Sequence, residues 1–223
     1  MRIFKLMVML TAVVAVCLIG CGGDDNPTDN NNGDNNNSGN NNNKGGGGPL
    51  SCGNRECKSA MMPDGKTWMT ENLNKTTADS WCFENKPDSC KKYGGLYTWE
   101  AARSACPSGW HLPTREEWDA LVTATGGTSK TLKSENGWYK SEYTDGNGTD
   151  DYGFSALPGG YRDFNGKFDA AGYNGYWWTA TESSDGGAYD RVMNYFLDNV
   201  YEYNIGTNGG KSNAFSARCV QDD

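Results

Sequence analysis

Thr114-Arg115-Glu116-Glu117-Trp118-Asp119-Ala120-Leu121-Val122-Thr123-Ala124-Thr125-Gly126-Gly127 is the stretch whose reading decides the fold. Thr114 and Glu117 have capping-box spacing, in which the N-cap hydroxyl and the carboxylate three residues on each accept a hydrogen bond from the other's backbone amide. Trp118, Leu121, Val122 and Thr125 then fall at i, i+3, i+4 and i+7, one buried stripe of a helix. Gly126-Gly127 supplies the stop. A helix is therefore expected from Thr114. A second, earlier one is expected from about Thr98 to Ala105, with Thr98 as N-cap and Pro107 just past its end.

Beyond this pair the pattern changes. Short β-like runs lie between Gly/Asn/Asp turns, around Trp138–Tyr139, Phe154–Leu157, Tyr161–Phe164, Tyr176–Thr181, Tyr189–Phe196 and Ala214–Val220. Two helices early and short strands late predict an α+β domain with a looped antiparallel sheet. From about Pro49 onward the length suits one domain, residues 49–223. Aliphatic residues are few there, and all eight tryptophans lie between Trp68 and Trp178, so aromatic rings must supply much of the core.

The N-terminal part reads differently. Arg2 and Lys5 precede an apolar run, Leu6 to Ile19, broken only by Thr11. It is short for a membrane-spanning helix, which needs about 20 apolar residues, and suits a secretory leader over residues 1–20. Leu18-Ile19-Gly20-Cys21 resembles the bacterial lipoprotein cleavage box. The resemblance implies that Cys21 becomes the first mature residue and carries the lipid. Residues 21–48 are almost wholly Asn, Gly and Asp, with too little apolar surface to offset their ordering entropy. That stretch is expected to be a disordered tether spanning about 30 Å. Gly22, rather than Asp, after the lipidated cysteine is compatible by analogy with outer-membrane sorting, and acidic Asp24-Asp25 with surface exposure.

The chain carries 28 acidic against 20 basic residues, a net charge of −8, and loss of Arg2 and Lys5 with the leader makes it more acidic still. Phosphate backbones and anionic lipid surfaces repel such a chain. Nucleic acid is excluded as a partner, and membrane attachment must come from the lipid. Of the eight cysteines, Cys17 leaves with the leader and Cys21 is lipidated. Cys52, Cys57, Cys82, Cys90, Cys106 and Cys219 remain, an even number in an oxidising compartment, which implies disulfides. Zinc is disfavoured: there is no CxxC pair, and His111 is the only histidine.

Several segments in order resemble one family. They are Met62-Pro63-Asp64-Gly65-Lys66-Thr67-Trp68-Met69-Thr70-Glu71-Asn72-Leu73, Cys90-Lys91-Lys92-Tyr93-Gly94-Gly95-Leu96-Tyr97-Thr98-Trp99, Cys106-Pro107-Ser108-Gly109-Trp110-His111-Leu112-Pro113-Thr114 and Tyr152-Gly153-Phe154-Ser155-Ala156-Leu157-Pro158-Gly159-Gly160-Tyr161-Arg162. Tyr176-Trp177-Trp178-Thr179-Ala180-Thr181 and Ala217-Arg218-Cys219-Val220 complete the set. Together they resemble the Fibrobacter succinogenes major paralogous domain over about residues 60–221, a family with no settled activity. Leu112-Pro113-Thr114-Arg115-Glu116-Glu117-Trp118 and Ala217-Arg218-Cys219-Val220-Gln221-Asp222 are also similar to segments of sulfatase-modifying (formylglycine-generating) domains. That similarity implies a C-type-lectin-like fold. It does not carry the enzyme chemistry over, because Cys219 has no second cysteine near it in sequence.

The disulfide expectations follow. Cys82–Cys90 and Cys52–Cys57 are close in sequence, and local bridges are natural. Cys106–Cys219 is then left over, and in lectin-like folds the chain ends meet and a bridge from the helical region to the last strand recurs.

Candidate sites remain. Asp145, Asn147, Asp150 and Asp151 place oxygen ligands along one loop, as Ca2+ needs, although an EF-hand would want glutamate where Ala156 stands. Calcium is thus the one candidate cofactor, against a plain turn beside a solvated acidic cluster. Trp138, Tyr161, Tyr176, Trp177 and Trp178 are candidates to stack on sugar rings, against the reading that they form the core of an aliphatic-poor domain. Trp177 and Trp178 are consecutive, so in a strand they face opposite sides. His111 is expected to hydrogen-bond to backbone at the helix start, and no catalytic residue is assigned. The expected function is a non-catalytic lipoprotein of the cell envelope, lipid-anchored, of the outer membrane and surface-exposed. It would display a lectin-like module that binds polysaccharide, cell-wall glycan or a surface protein. The alternative is a structural or assembly module with no small ligand.

Overall fold

Among the described residues three α-helices form: α1 (Pro87–Tyr93), α2 (Trp99–Ala105) and α3 (Arg115–Ala124). In α3 the capping box is complete. The Glu117 amide donates to the Thr114 hydroxyl at 3.2 Å, and the Thr114 amide donates to the Glu117 carboxylate at 2.8 Å. Trp118, Leu121 and Thr125 are buried, Val122 is half-buried, and Gly126 and Gly127 follow with φ of +93° and +72°. In α2 the Thr98 hydroxyl accepts from the Ala101 amide, and Trp99, Ala102 and Ala105 make the buried stripe. The expectation of two helices is corrected by α1. Pro87 stands at its start, where a missing N–H and a preset φ suit a helix. None of its residues is buried, so it lacks the apolar periodicity by which an amphipathic helix is recognised.

This computed structural model describes residues 56–206 and 209–223. The leader 1–20, the stretch 21–48, Cys21 and Cys52 lie outside the described residues. Among those described, no helix is long and apolar enough to cross a membrane.

The architecture is α+β. A four-stranded sheet runs in the order β1 (Ser59–Met61), β2 (Thr67–Met69), β12 (Val220–Gln221), β5 (Trp110–His111). A six-stranded sheet runs β10 (Tyr201–Ile205), β9 (Ala188–Asn194), β8 (Asn174–Glu182), β11 (Phe215–Ser216), β4 (Leu96–Tyr97), β3 (Ser80–Trp81). A ribbon pairs β6 (Tyr161–Arg162) with β7 (Phe168–Asp169). The pairings are antiparallel except β11 with β8. Trp138–Tyr139 and Phe154–Leu157, expected as β-like runs, form no strand. The run Ala214–Val220 divides into β11 and β12, which serve different sheets.

Two hydrophobic clusters share the interior, and strands feed both. In β8, Trp177 belongs with Trp68, Trp118, Phe154 and Trp138, while Trp178 belongs with Tyr97, Trp99, Phe215 and Leu112. Trp68 and Met69 of β2 divide in the same way, as do Cys219 and Val220. Side-chain alternation in a strand makes this possible, because successive residues point to opposite faces. The indole N–H groups find acceptors deep inside. Trp99 donates to the Thr179 carbonyl, Trp178 to the Tyr97 carbonyl and Trp138 to the Ala156 carbonyl, at 2.8, 2.8 and 3.0 Å.

Two covalent cross-links join distant and near segments. Cys106, at the end of α2, is bonded to Cys219 across 113 residues with Cα atoms 5.9 Å apart. Cys82 is bonded to Cys90 of α1, with Cα atoms 4.9 Å apart. Cys57 is also disulfide-bonded, but Cys52 lies outside the described residues.

Candidate functional site

The aromatic residues of this chain have two destinations. Trp138, Trp177 and Trp178 are buried, which corrects their candidacy as sugar-stacking residues: no face is left for a ligand. Tyr161 and Tyr176 are half-buried and pack edge-on, 5.2 Å between ring centres, with Tyr176 stacked on Phe215. Burial pushes the Tyr176 phenol pKa up, while Asn174 donates to its oxygen at 2.9 Å. Tyr161 lines a cleft of about 520 Å³ with Asp163, Phe164, Asp185, Ile205 and Asn213. The carboxylates there serve their own turns. Asp163 accepts from the Lys167 amide, and Asp185 accepts from Ser183, the Gly187 amide and Asn204.

A second group of rings lies elsewhere, and sequence reasoning did not single it out. Tyr139, Tyr173, Tyr195 and Phe196 form a continuous aromatic patch at one end of the β8–β9 ladder. Tyr139 and Tyr173 stack at 4.8 Å with 23° between planes. Tyr195 sets its edge to both, at 5.1 and 5.4 Å, and meets Phe196 at 5.0 Å. Tyr139 is 38 %, Tyr173 44 % and Phe196 60 % exposed. None of the four belongs to either buried cluster, although Tyr195 packs against one of them. Stacked and edge-to-face pairs contribute roughly 0.5–1.5 kcal/mol each beyond their burial, so the rings hold one another in place without being covered.

Local sequence explains how they meet. The pair Asn174↔Asn194 is the last rung of the β8–β9 ladder, and Tyr173 and Tyr195 stand one residue beyond it on each strand. Trp138 is anchored inward: its amide donates to Asn147 Oδ1 at 3.1 Å and its indole to Ala156. Tyr139, the next residue, consequently turns outward. The Tyr139 amide donates to the Gly172 carbonyl at 2.7 Å, and its carbonyl accepts from the Gly146 amide at 3.0 Å. Gly146 is required there, since a Cβ would sit 2.7 Å from the Tyr139 oxygen and 2.8 Å from Tyr195 Cβ. Asn194 Oδ1 accepts from the amides of Phe196 and Leu197, shaping the turn that presents Phe196. At the rim, Lys140 pairs with Asp145 at 2.5 Å and holds the Asp145 carboxyl below its ordinary pKa.

The four proposed calcium ligands are not brought together. Asp145 is engaged with Lys140 and Asn147, Asn147 spends its carbonyl on Trp138, Asp150 accepts from Ser155, and Asp151 is exposed. Among the described residues, no group of three or more His, Cys, Asp or Glu side chains is placed to hold a metal ion. Asp145 and Asp150 are instead satisfied separately, the first by the Lys140 ammonium and the second by the amide and hydroxyl of Ser155. His111 also departs from expectation, because its ring nitrogens face carboxylates rather than backbone.

The segments that carry the family resemblance converge inside the molecule. Asn72 is a buried hub. Its Oδ1 accepts from Trp177 Nε1 and from Arg218 Nη2, both at 2.9 Å, and its Nδ2 donates to the Tyr93 carbonyl at 2.8 Å. Arg218 is fully buried, lies over the Phe154 ring at 4.1 Å and donates to the carbonyls of Phe154 and Ser155. Desolvation lowers its pKa to about 9. These motif residues build the scaffold. Residues 61–221 match the Fibrobacter succinogenes major domain, and the chain belongs to that family. No curated protein and no solved structure shows significant similarity to it.

Proposed function

We propose that this Fibrobacter succinogenes major domain is a non-catalytic module of the cell envelope that binds polysaccharide or cell-wall glycan. Its stacking surface is the patch of Tyr139, Tyr173, Tyr195 and Phe196. The observation that carries the reading is the packing of four rings into one group, of which Tyr139, Tyr173 and Phe196 are exposed around half-buried Tyr195. Tyr143, Tyr152, Phe164 and Tyr203 are exposed as well but lie outside that group. Flat aromatic faces suit the apolar faces of pyranose rings, and rigid Tyr side chains lose little entropy on contact. The segment around Tyr139 in sequence also carries hydroxyl and amide side chains, at Asn136, Ser141, Tyr143 and Thr144.

We read the fold as C-type-lectin-like. Supporting this, the first and last described strands meet in one sheet through β2 and β12, and an irregular segment of about 35 residues follows α3 on a rigid scaffold. We place the protein at the outer membrane and surface-exposed, anchored by lipid at Cys21. The non-catalytic reading is supported by Cys219, whose thiol is bonded to Cys106, and by His111, whose two ring nitrogens are both engaged.

A glycan array followed by retention on the immobilised polysaccharide tests the binding. The purified protein should be retained, and Tyr139→Ala with Tyr173→Ala should weaken retention about tenfold or more, equivalent to about 1.4 kcal/mol. No glycan bound, or retention unchanged in the double variant, overturns the reading and leaves a protein partner or an assembly role. For the anchor, Cys21→Ser should abolish incorporation of labelled palmitate. Normal labelling would exclude Cys21 as the lipid site.

A further inference from the structure

His111 sits where the last strand must be held. Strand β12 is an inner strand of its sheet, between β2 and β5, but its ladder is short: Val220 faces Trp68 on one side and His111 on the other, and Gln221 faces Trp110. The Asp222 amide then donates to the Gly109 carbonyl at 3.0 Å. The Cys106–Cys219 bridge secures the chain only up to Cys219. Beyond it, Val220 must stay packed with Trp68 and Trp118 in the second cluster.

The ring of His111 spans the gap between two elements. Its Nδ1 is 2.6 Å from Asp222 Oδ1, and its Nε2 is 3.0 Å from each oxygen of Glu117 on α3. Neutral imidazole carries a single N–H, whereas a carboxylate only accepts. Only the imidazolium donates at both ends. Glu117 is itself fixed by the capping box, and Lys66 completes the cluster, 3.5 Å from Glu117 and 2.7 Å from Asp223. The nearby Asp64 is turned away to the Lys66 amide and the Trp68 indole. Lys66 thus faces Glu117 and Asp223, His111 faces Glu117 and Asp222, and the protonated ring supplies the second positive charge among three carboxylates.

We propose that His111 is a proton-operated clasp that locks the segment Val220–Asp223 against β5 and α3 and closes the Trp68–Trp118 end of the second cluster. Burial pulls the imidazole pKa down, but the hydrogen bonds and charges of Asp222 and Glu117 outweigh it, and the net shift is upward. A group whose folded pKa is raised stabilises the folded state at low pH, and that contribution disappears as pH rises through the folded value. The clasp therefore opens as pH rises through the raised His111 value. At the acid end it weakens when Glu117 takes up a proton, as the carboxylate pairs Lys66–Asp223 and Lys140–Asp145 also do, so only the alkaline limb is particular to His111.

His111 is the only histidine of the chain, so its ring proton resonances report one site. They should titrate above the ordinary value of about 6.5. Across that titration, amide exchange at Val220, Gln221 and Asp222 should accelerate by several-fold beyond the rise that hydroxide alone produces. In His111→Gln this extra step should vanish. If that variant fails to fold, Asp222→Asn, which alters only an exposed partner, should lower the His111 titration point. A titration at or below the ordinary value overturns the clasp. So does exchange that follows hydroxide alone in the unsubstituted protein, or a titration point that Asp222→Asn leaves unmoved.

Discussion

The Asn72 hub and the Tyr139 patch use aromatic side chains in opposite ways. Around Asn72, rings and charges are sealed: Trp177 and Arg218 are fully buried and share one amide oxygen. Around Tyr139, rings pack on one another and stay open to water. The first arrangement suits a scaffold, since a buried polar group that loses its partner forfeits its full desolvation cost. The second suits a surface that exchanges partners, since little is lost when a ring there is uncovered. The segments that identify the family feed the first region, and the patch is assembled from residues outside most of them.

The comparison breaks most readily at the covalent staple of the interior. On the chain-entropy argument, replacing Cys106 and Cys219 by Ala should cost about 5 kcal/mol, against about 2–3 kcal/mol for Cys82 and Cys90, whose loop is far shorter. Denaturant midpoints of the two double variants check the order, and equal losses would show that the long loop is not what the bridge constrains. Next comes the hub. Asn72→Ala strands Trp177 Nε1 and Arg218 Nη2 without an acceptor and should cost roughly 2–5 kcal/mol, measured by urea unfolding. A loss below about 1 kcal/mol would mean that water replaces the amide.

A smaller effect separates the regions by pH. Asp190 of β9 is buried, with Oδ2 unpartnered and Oδ1 accepting from the Tyr203 amide at 3.2 Å. Desolvation lifts its pKa to about 7. A raised folded pKa means that stability is lost as pH climbs from the ordinary carboxylate range to about 7. Asp190→Asn should flatten that decline and stabilise the protein at pH 8 by roughly 1–3 kcal/mol. Below pH 4 the two proteins should unfold alike, and a variant weaker at pH 8 would contradict the assignment. The smallest change in stability belongs to the patch. Tyr139→Ala should lower stability by only about 1 kcal/mol while removing much of the glycan retention, and thermal unfolding measured beside binding separates the two.

Parts of this were legible in advance for definite reasons. Helices α2 and α3 announce themselves because caps and buried stripes are local, with Thr98, Thr114 and Glu117 at the required spacings. Strands β8 and β9 are long enough to show apolar runs. Strands of two residues, such as β4, β5 and β11, have no period to read, and α1 has no buried face. β10 does alternate, Tyr201, Tyr203 and Ile205 against Glu202 and Asn204, although it is absent from the expected runs. Trp138-Tyr139 held a usable signal too, since an inward Trp in an extended segment sends its neighbour out. Nothing local links Tyr139 to Tyr173 or Tyr195.

The sequence by itself determined the α+β class, the family and the places where two helices begin and end, because these depend on propensity, capping and spacing over a few residues. Only the tertiary structure decided which aromatics are buried and which are offered to solvent. That choice depends on the register of the β8–β9 ladder, on the close approach at Gly146 and on the four-stranded sheet, whose Trp68 and Val220 pack in one cluster with Trp177. Packing across the chain sets all three, and no short window of residues contains them.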